Sequence, residues 1–284
     1  MDKPLKLSAV AKAAHMSPFH FHRVFQAMVG ETLADFVKRA RLDRAMVMMA
    51  HTPRMVLADV ATECGFASAS DFSRSFKQKF GAAPSAFDIR SWRDANRARL
   101  EATLPEWTKS LHLSSGAGGV GGGNPDGFRV VVRELPARTV AYIRVHDPYK
   151  GDAVVVAVHR LMEWAERNGC SDGQWLGYQW ENPEVTPLEQ CRYHAAVECE
   201  KVVPRGEVGR YRFPAMTVAQ VEVKGDINLE LRALYWLYGV WLPQSGYVPA
   251  DQPGFEAWIG KPFAHGMERF ELDVQLPIRR EGKK

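Results

Sequence analysis

Two arginines, Arg23 and Arg74, stand 51 residues apart at matching positions of a repeated pattern. In order, Ser17, Phe21, Arg23, Phe25 and Gly30 recur as Ser68, Phe72, Arg74, Phe76 and Gly81. A serine cap, phenylalanines at helical spacing and a closing glycine predict a short helix in each copy, with the arginine on its outer face. A guanidinium in that position can donate two hydrogen bonds to O6 and N7 of guanine.

A second group of residues suited to chemistry lies near the C-terminus, where Glu256 stands among aromatic side chains. Phe255 and Trp258 flank it, and Trp241 and Tyr247 are close in sequence. A carboxylate beside aromatic rings suits a lipophilic cation, because ion pairing adds to a cation–π attraction of about 0.5–2 kcal/mol per ring. The alternative is a surface glutamate on a strand, beside tryptophans that only fill a core. Such a site would have a wall of aromatic side chains around the cation. Weaker candidates for this wall are Trp175, Tyr178 and Tyr142.

The repeat near the N-terminus predicts two helix-turn-helix modules. A short apolar helix precedes each capped helix, because Leu7, Val10 and Ala11 recur as Leu57, Val60 and Ala61. Residues 31–50 have apolar residues at helical spacing and predict one long helix that holds the modules at a fixed separation. Two outer helices on such a frame can enter successive major-groove segments, about 34 Å apart. The alternative is a small helical domain whose arginines only face solvent.

Residues 7 to about 92 resemble the DNA-binding domain of AraC/XylS-type transcriptional regulators. The stretches that carry the resemblance are 16–25, 39–42, 60–66 and 71–85. By position, the family's base-reading residues fall on Phe19, His22 and Arg23 in the first module and on Ser70, Asp71 and Arg74 in the second. The resemblance implies double-stranded DNA and RNA polymerase as partners. Such domains usually begin with a further helix, so either the true start lies upstream of Met1 or the first module packs with less support.

Charge and composition change along the chain. Residues 1–113 contain 17 Lys and Arg against 11 Asp and Glu, a net charge of +6, whereas the remainder carries −2. Residues 114–127 include seven glycines in fourteen positions, which predicts a flexible tether. We therefore expect a DNA-binding domain at 1–92, a helical extension and Gly-rich linker at 93–127, and a separate domain at 128–284. A basic first part suits DNA at that end only.

The C-terminal half has the pattern of an α+β domain. Strand-like alternation and helical spacing predict strands at 129–134 and 138–146, a helix at 152–168, and strands at 174–178 and 192–199. A second round predicts a strand at 216–223, a helix at 227–242 and a strand at 270–278. The expected fold is therefore multidomain: an all-α double helix-turn-helix domain, then an α+β domain of two similar strand-helix-strand halves. The cleft between such halves is a common place for a small ligand.

Residues 128 to 279 resemble the GyrI-like effector-binding domain. The segments that carry this resemblance are 183–187, 191–193, 206–209, 241–247 and 253–256. The resemblance implies that the domain binds small, often amphipathic and cationic molecules. In such domains a glutamate at the position that corresponds to Glu256 commonly pairs with the positive charge of the ligand. Some GyrI-like domains are hydrolases, which leaves an enzyme open as an alternative, with Glu256 as general base. A domain that only mediates protein contacts is the other alternative.

Other chemistry is sparse in the sequence. The histidines lack metal-binding spacing, no nucleotide-binding or hydrolase motif is present, and we expect no metal, cofactor or catalytic residue. The four cysteines, Cys64, Cys170, Cys191 and Cys199, lack CxxC spacing and are expected to be reduced, mostly buried thiols. Because no apolar run approaches eighteen residues, we expect a cytoplasmic protein without a membrane partner. The sequence as a whole predicts a ligand-responsive transcriptional regulator.

Overall fold

The computed structural model describes residues 5–51, 55–103 and 123–280. The chain divides between Arg93 and Asp94 into two compact units. Most of the predicted Gly-rich linker falls in residues 104–122, which lie outside the described residues. None of the helices in the described ranges combines the length and apolarity needed to cross a bilayer.

The first unit is all-α and contains both predicted modules. Its helices are α1 (Leu7–Ala13), α2 (Pro18–Val29), α3 (Leu33–His51), α4 (Leu57–Glu63) and α5 (Ala69–Phe80). A further helix, α6 (Ile89–Thr103), crosses the boundary between the units. The modules are the pairs α1–α2 and α4–α5, which confirms the all-α double helix-turn-helix prediction.

Local hydrogen bonds define the outer helices as the sequence predicted. The Ser17 hydroxyl accepts a hydrogen bond from the backbone amide of His20 at 3.2 Å, and Ser68 caps α5 in the same way at 3.1 Å. Gly30 and Gly81 end these helices with φ of 82° and 83°, the left-handed region that a side chain disfavours. The start and end of both helices are therefore set by residues adjacent in sequence.

Helix α3 joins the two modules through packing and charge. On one side the ring of Phe36 meets Phe25 of α2 edge to face, with centroids 5.7 Å apart. On the other side Asp43 pairs with Lys79 of α5 and with Arg39 of its own helix. Leu42 is almost fully buried between these contacts. The long helix therefore acts as the predicted frame, and part of its charge is used inside the unit.

The second unit is built on one antiparallel sheet of nine strands. The strands are β1 (Val131–Leu135), β2 (Arg138–His146), β3 (Trp175–Gln179), β4 (Arg192–Glu198), β5 (Val208–Phe213), β6 (Met216–Gly225), β7 (Tyr247–Pro249), β8 (Gly254–Trp258) and β9 (Phe270–Arg280). Two helices, α7 (Ala153–Arg167) and α8 (Ile227–Trp236), belong to the same unit. The strand order is β1-β6-β9-β8-β3-β4-β2-β5, with β7 paired to β9.

This strand order contains the same strand-helix-strand-strand arrangement twice. In the first half, the chain runs from β2 through α7 to β3 and β4, and β4 lies between the other two strands. In the second half, it runs from β6 through α8 to β8 and β9, and β9 lies in the middle. The α+β prediction of two similar halves is confirmed. The halves join where β3 pairs with β8, a junction we call the seam.

Both helices lie on the same face of the sheet, and the strands at the seam lie between them. Helix α7 packs on β2 and β4, and α8 packs on β6 and β9. The other face curls onto itself, since Phe213 of β5 and Phe255 of β8 have centroids 4.9 Å apart although three strands separate them. Neighbouring strands are about 4.8 Å apart, so a flat sheet would hold these rings far apart. On the face that carries the helices, the side chains of β3 and β8 therefore lie between α7 and α8.

Three sequence expectations need correction in this unit. The helix predicted at 227–242 ends as α-helix at Trp236 and continues as a π turn, Leu237–Trp241, and a 3-10 turn, Leu242–Gln244. Strands β5, β7 and β8 were not predicted. The expectation of four thiols is wrong for Cys170 and Cys199, which form a disulfide with Cα atoms 5.5 Å apart.

The C-terminal part of α6, from Asp94 onward, belongs to the second unit and packs within it. Asn96 donates a hydrogen bond to the backbone oxygen of Glu184 at 3.0 Å, and Arg97 pairs with the Glu184 carboxylate at 2.8 Å. The Arg97 guanidinium also lies 4.4 Å from the centroid of Tyr235 on α8. Because Glu184 is buried, loss of the Arg97 guanidinium would leave its carboxylate without a compensating charge. These contacts join α6 to α8 within the second unit.

Candidate functional site

Glu256 lies in the middle of β8, directly opposite Gly177 of β3 at the seam. Alternation along β8 places Phe255 and Ala257 in the inner core of the curled sheet, so Glu256 faces the helices. Its side chain is half-buried. A carboxylate at the junction of the two halves, between α7 and α8, is the centre of the candidate site.

The Glu256 carboxylate is held by a tyrosine from the next strand but one. The Tyr193 hydroxyl of β4 donates a hydrogen bond to Glu256 Oε2 at 2.6 Å. To reach it, the phenol crosses over Gly177, where a β-carbon would overlap the Tyr193 hydroxyl and press on the Glu256 carboxylate. The absence of a side chain at position 177 is therefore a requirement of this hydrogen bond. Glu256 is fixed in position before anything binds.

A second carboxylate, Glu230 on α8, belongs to the same site. It interacts electrostatically with Glu256 and with the Tyr193 hydroxyl. Its side chain is only 3% exposed. Across residues 5–51, 55–103 and 123–280, neither Glu230 nor Glu256 has an ion pair with Lys, Arg or His. A buried and a half-buried acid thus interact with each other, and within the described ranges neither pairs with a basic side chain.

Burial disfavours the ionised forms of these acids. It raises the pKa of Glu256 from the ordinary 4.5 to about 7, and the hydrogen bond from Tyr193 offsets part of the rise. Burial, followed by repulsion from Glu256, raises the pKa of Glu230 well above its ordinary range. Near neutral pH the two carboxyl groups therefore retain at least part of their protons, and a nearby positive charge would favour full ionisation.

These pKa shifts predict a pH-dependent stability. Because the native state binds more protons than the unfolded state between about pH 4.5 and 7, stabilisation from these acids is lost as the pH rises through that window. Relative to the double variant Glu230→Gln/Glu256→Gln, the wild type should lose about 1–3 kcal/mol between pH 5 and pH 8. Urea unfolding followed by tryptophan fluorescence measures this difference. A wild type that gains stability over the variant in this window would contradict the assignment.

Two predicted wall residues share the helix-side face with Glu256 but pack in the core. Trp258 is buried against Phe263 and Phe270, with ring centroids 4.9 and 5.3 Å away. The Trp258 side chain also interacts with the Tyr193 hydroxyl. Trp175 is buried too, and its indole nitrogen donates a hydrogen bond to the backbone oxygen of Ser171 at 3.1 Å. Both residues belong to the hydrophobic core on the helix side of the sheet.

The other two predicted wall residues lie on the opposite face of the sheet. Tyr178 is buried and stacks on His194 at 4.7 Å, and Tyr142 meets the same imidazole edge to face at 5.2 Å. Burial, with a contribution from Arg144, lowers the pKa of His194 to about 3, so this imidazole is neutral. The sheet therefore separates Tyr178 and Tyr142 from Glu256.

The sequence reasoning missed three residues of the site: Tyr193, Gly177 and Glu230. Tyr193 lay within a segment that carried the GyrI-like resemblance, but nothing local pointed to a role. Glu230 had a readable signal, since Ala233 and Leu237, three and seven residues further on, are apolar and buried. An acid on the apolar stripe of a helix is unusual, because burial of an unpaired carboxylate is unfavourable.

The candidate DNA-binding residues lie on the outer helices and are largely accessible. Phe19 is 73% exposed, the side chain of Arg74 is 80% exposed, and Arg23 and Ser70 are also exposed. His22 and Asp71 are half-buried. Arg23 lies 5.8 Å from the centroid of Phe19, and Arg74 is 4.0 Å from Asp71. Exposed contacts of this kind are worth about 0–1 kcal/mol, so both guanidinium groups can exchange them for a ligand.

No group of three or more His, Cys, Asp or Glu residues suited to a metal ion occurs in the part of the chain that the structure describes. The described side chains that can recognise a ligand are the arginines of the outer helices and the acids Glu256 and Glu230.

Comparison with known proteins relates both units to characterised families. A model of a helix-turn-helix domain matches residues 10–90, and the model of the GyrI-like small molecule binding domain matches residues 125–279. Regulatory protein SoxS of Escherichia coli (strain K12) is 33% identical over 90 residues, which cover 32% of this chain and 83% of SoxS. Transcriptional regulator Rob of Salmonella typhimurium is 31% identical over 112 residues, covering 39% of this chain and 38% of Rob.

Among solved structures, the crystal structure of the EcmrR C-terminal domain aligns with a TM-score of 0.41 and 14% identity, covering 55% of this chain and 99% of that chain. The GyrI-like match alone extends over more than half of the sequence. The two family models and the relationship to SoxS show that the chain belongs to the AraC family of transcriptional regulators and carries a C-terminal GyrI-like small-molecule-binding domain.

Proposed function

We propose that this DNA-binding regulator responds to small amphipathic cations, which bind at the seam of the second unit and alter DNA binding by the first. The observation that carries the proposal is the Glu256 carboxylate, held by Tyr193 at 2.6 Å. Within the described ranges no basic side chain pairs with it. A cation entering the cleft would supply the missing charge.

The energetics favour a cation over an anion or a strongly polar neutral molecule. A buried acid that is partly protonated at neutral pH ionises fully when a positive charge approaches, and the resulting ion pair lies in a medium of low dielectric constant. A lipophilic cation enters such a site readily, because its own hydration is weak. The carboxylate therefore discriminates by charge, while the surrounding apolar surface accepts many shapes.

We propose that the chain acts as a regulator and not as an enzyme. SoxS and Rob, which it matches at 33% and 31% identity, are named as regulatory proteins. RNA polymerase is the proposed protein partner. A role of the second unit in protein contacts alone would leave the mutual repulsion of Glu230 and Glu256 without a use.

We propose that Phe19, His22 and Arg23 of α2 and Ser70, Asp71 and Arg74 of α5 read DNA bases. Arg23→Ala or Arg74→Ala should weaken specific binding by about 1–3 kcal/mol and relax preference mainly in its own half of the site. The measurement is fluorescence anisotropy on the sequence that the wild type enriches from a random pool. Lys12→Ala, on α1 and outside the outer helices, is the control. If both Arg23→Ala and Arg74→Ala keep the affinity and specificity of the wild type, α2 and α5 do not both read the bases of the DNA site.

The same titration tests the response to ligand. Tetraphenylphosphonium, used as the cationic probe, should change the wild-type affinity for this DNA by about fivefold or more, the usual lower range of coupling between two sites. Triphenylphosphine oxide, a neutral molecule of similar shape, should change it less. If the cation binds the protein and leaves DNA affinity unaltered, the regulatory part of the proposal is wrong.

A further inference from the structure

One carboxylate is enough for a monocation, yet the seam contains two. Glu230 is only 3% exposed, and in the described part of the chain no hydrogen bond or ion pair engages its carboxylate. Glu256, by contrast, has its tyrosine donor. The role of Glu230 is therefore not explained by a site that recognises a single positive charge.

The fold places Glu230 within electrostatic range of Glu256. Asp226 caps α8 by accepting a hydrogen bond from the backbone amide of Leu229 at 3.0 Å, which fixes the start of the helix. On the stripe that contains Glu230, Ala233 and Leu237 are fully buried. The Tyr193 hydroxyl is in electrostatic range of both acids. The two carboxylates thus approach one another from different layers, Glu256 from the sheet and Glu230 from the helix above it.

Packing alone does not account for an acid at position 230. A leucine would fill a similar volume and avoid the unfavourable burial of an unpaired carboxylate. The acid is also repelled by Glu256, which adds to that cost. Both penalties disappear when each carboxylate meets a positive charge, and one monocation can neutralise only one of them.

We infer that the seam binds compact aromatic dications, with one positive charge paired to Glu256 and the other to Glu230. This inference rests on the proposed function and adds the number of charges that the ligand carries. A monocation leaves one acid that must remain protonated. A dication ionises both acids, so its binding should release more protons and should gain a second ion pair in a buried setting.

Two probes of nearly equal size separate these cases. 1,1′-Dimethyl-4,4′-bipyridinium carries two charges, and 1-methyl-4-phenylpyridinium has the same two-ring skeleton with one. In calorimetry on the full-length protein, the wild type should bind the dication about tenfold more tightly or better. Glu230→Gln should abolish this preference, so that the variant binds both probes with similar affinity. Glu163→Gln on α7, whose side chain is 73% exposed, is the matched control and should behave as the wild type.

A second readout needs no variant. Titrations in two buffers of different ionisation enthalpy give the protons released on binding, and the dication should release more than the monocation. Equal affinities together with equal proton release would overturn the inference, as would a dication preference that survives in Glu230→Gln. Monocation binding that still depends on Glu256 would then leave the proposed function standing. Failure of both probes to bind would remove the proposed function and the inference together.

Discussion

Gly177→Ala should weaken cation binding at the seam and destabilise the second unit. The added β-carbon would overlap the Tyr193 hydroxyl and lie 2.6 Å from its Cζ atom, so the buried phenol must move and its hydrogen bond to Glu256 must break. Forcing extra volume into a packed region typically costs about 1–3 kcal/mol. Affinity for tetraphenylphosphonium should fall by about tenfold or more, because the carboxylate loses its fixed position.

Gly254→Ala provides the control, because it adds the same methyl group on the strand that carries Glu256. There the nearest heavy atom to the new β-carbon is the backbone oxygen of Gln275 at 3.8 Å, an ordinary contact. Stability and ligand affinity should remain close to the wild type. If both variants bind the cation equally well, the close crossing of Tyr193 over Gly177 has no part in the site.

The position of the site follows from the duplication of the second unit. Each half covers its own strands with its own helix, so the strands at the junction of the halves lie between α7 and α8. Residues from both halves meet there: Tyr193 and Gly177 from the first, Glu256 and Glu230 from the second. A ligand held at this junction contacts both halves, and a change in their relative position is the simplest response to its binding.

The outer helices could be predicted in detail because their signals are local. Ser17 and Ser68 cap helices that begin at the next residue, and Gly30 and Gly81 end them. Each of these choices depends on side chains within four positions, which a sequence displays directly. The two halves of the second unit were also recognisable, since helical and alternating patterns follow one another twice.

The candidate ligand site could be predicted only in part, because its contacts are distant in sequence. Glu256 was identified from its aromatic neighbours, but its strand, β8, is short and faces apolar residues on one side and the cleft on the other. The hydrogen bond from Tyr193 spans 63 positions. Tyr178 and Tyr142 lie on the face of the sheet opposite Glu256. Which face a residue occupies depends on strand register, and a shift of one residue moves every side chain of a strand to the other face.

The disulfide illustrates the same limit. Cys170 follows α7 and Cys199 follows β4, and their separation of 29 residues matches no recognised spacing. The backbone brings them together because the amide of Cys199 bonds to Thr139, and the amide of Glu198 bonds to Gln174. Only the pairing of β4 with both β2 and β3 reveals that these two sulfur atoms meet.

Glu256→Gln should weaken binding of cationic ligands by about tenfold or more, because the amide keeps the shape of the side chain but removes its charge. Tyr193 can still donate its hydrogen bond to the amide oxygen, so the fold should be preserved. DNA binding in the absence of ligand should be unchanged. Circular dichroism and thermal unfolding of the variant check that the substitution acts on charge and not on folding.

The most direct test of a cation-responsive regulator is calorimetry of the wild type and of Glu256→Gln with tetraphenylphosphonium and with triphenylphosphine oxide. The expected result is a loss of about tenfold or more for the cation in the variant, with nearly unchanged binding of the neutral molecule. Equal losses for the charged and the neutral ligand would contradict the account, because they would mean that Glu256 maintains the structure of the cleft and does not recognise charge.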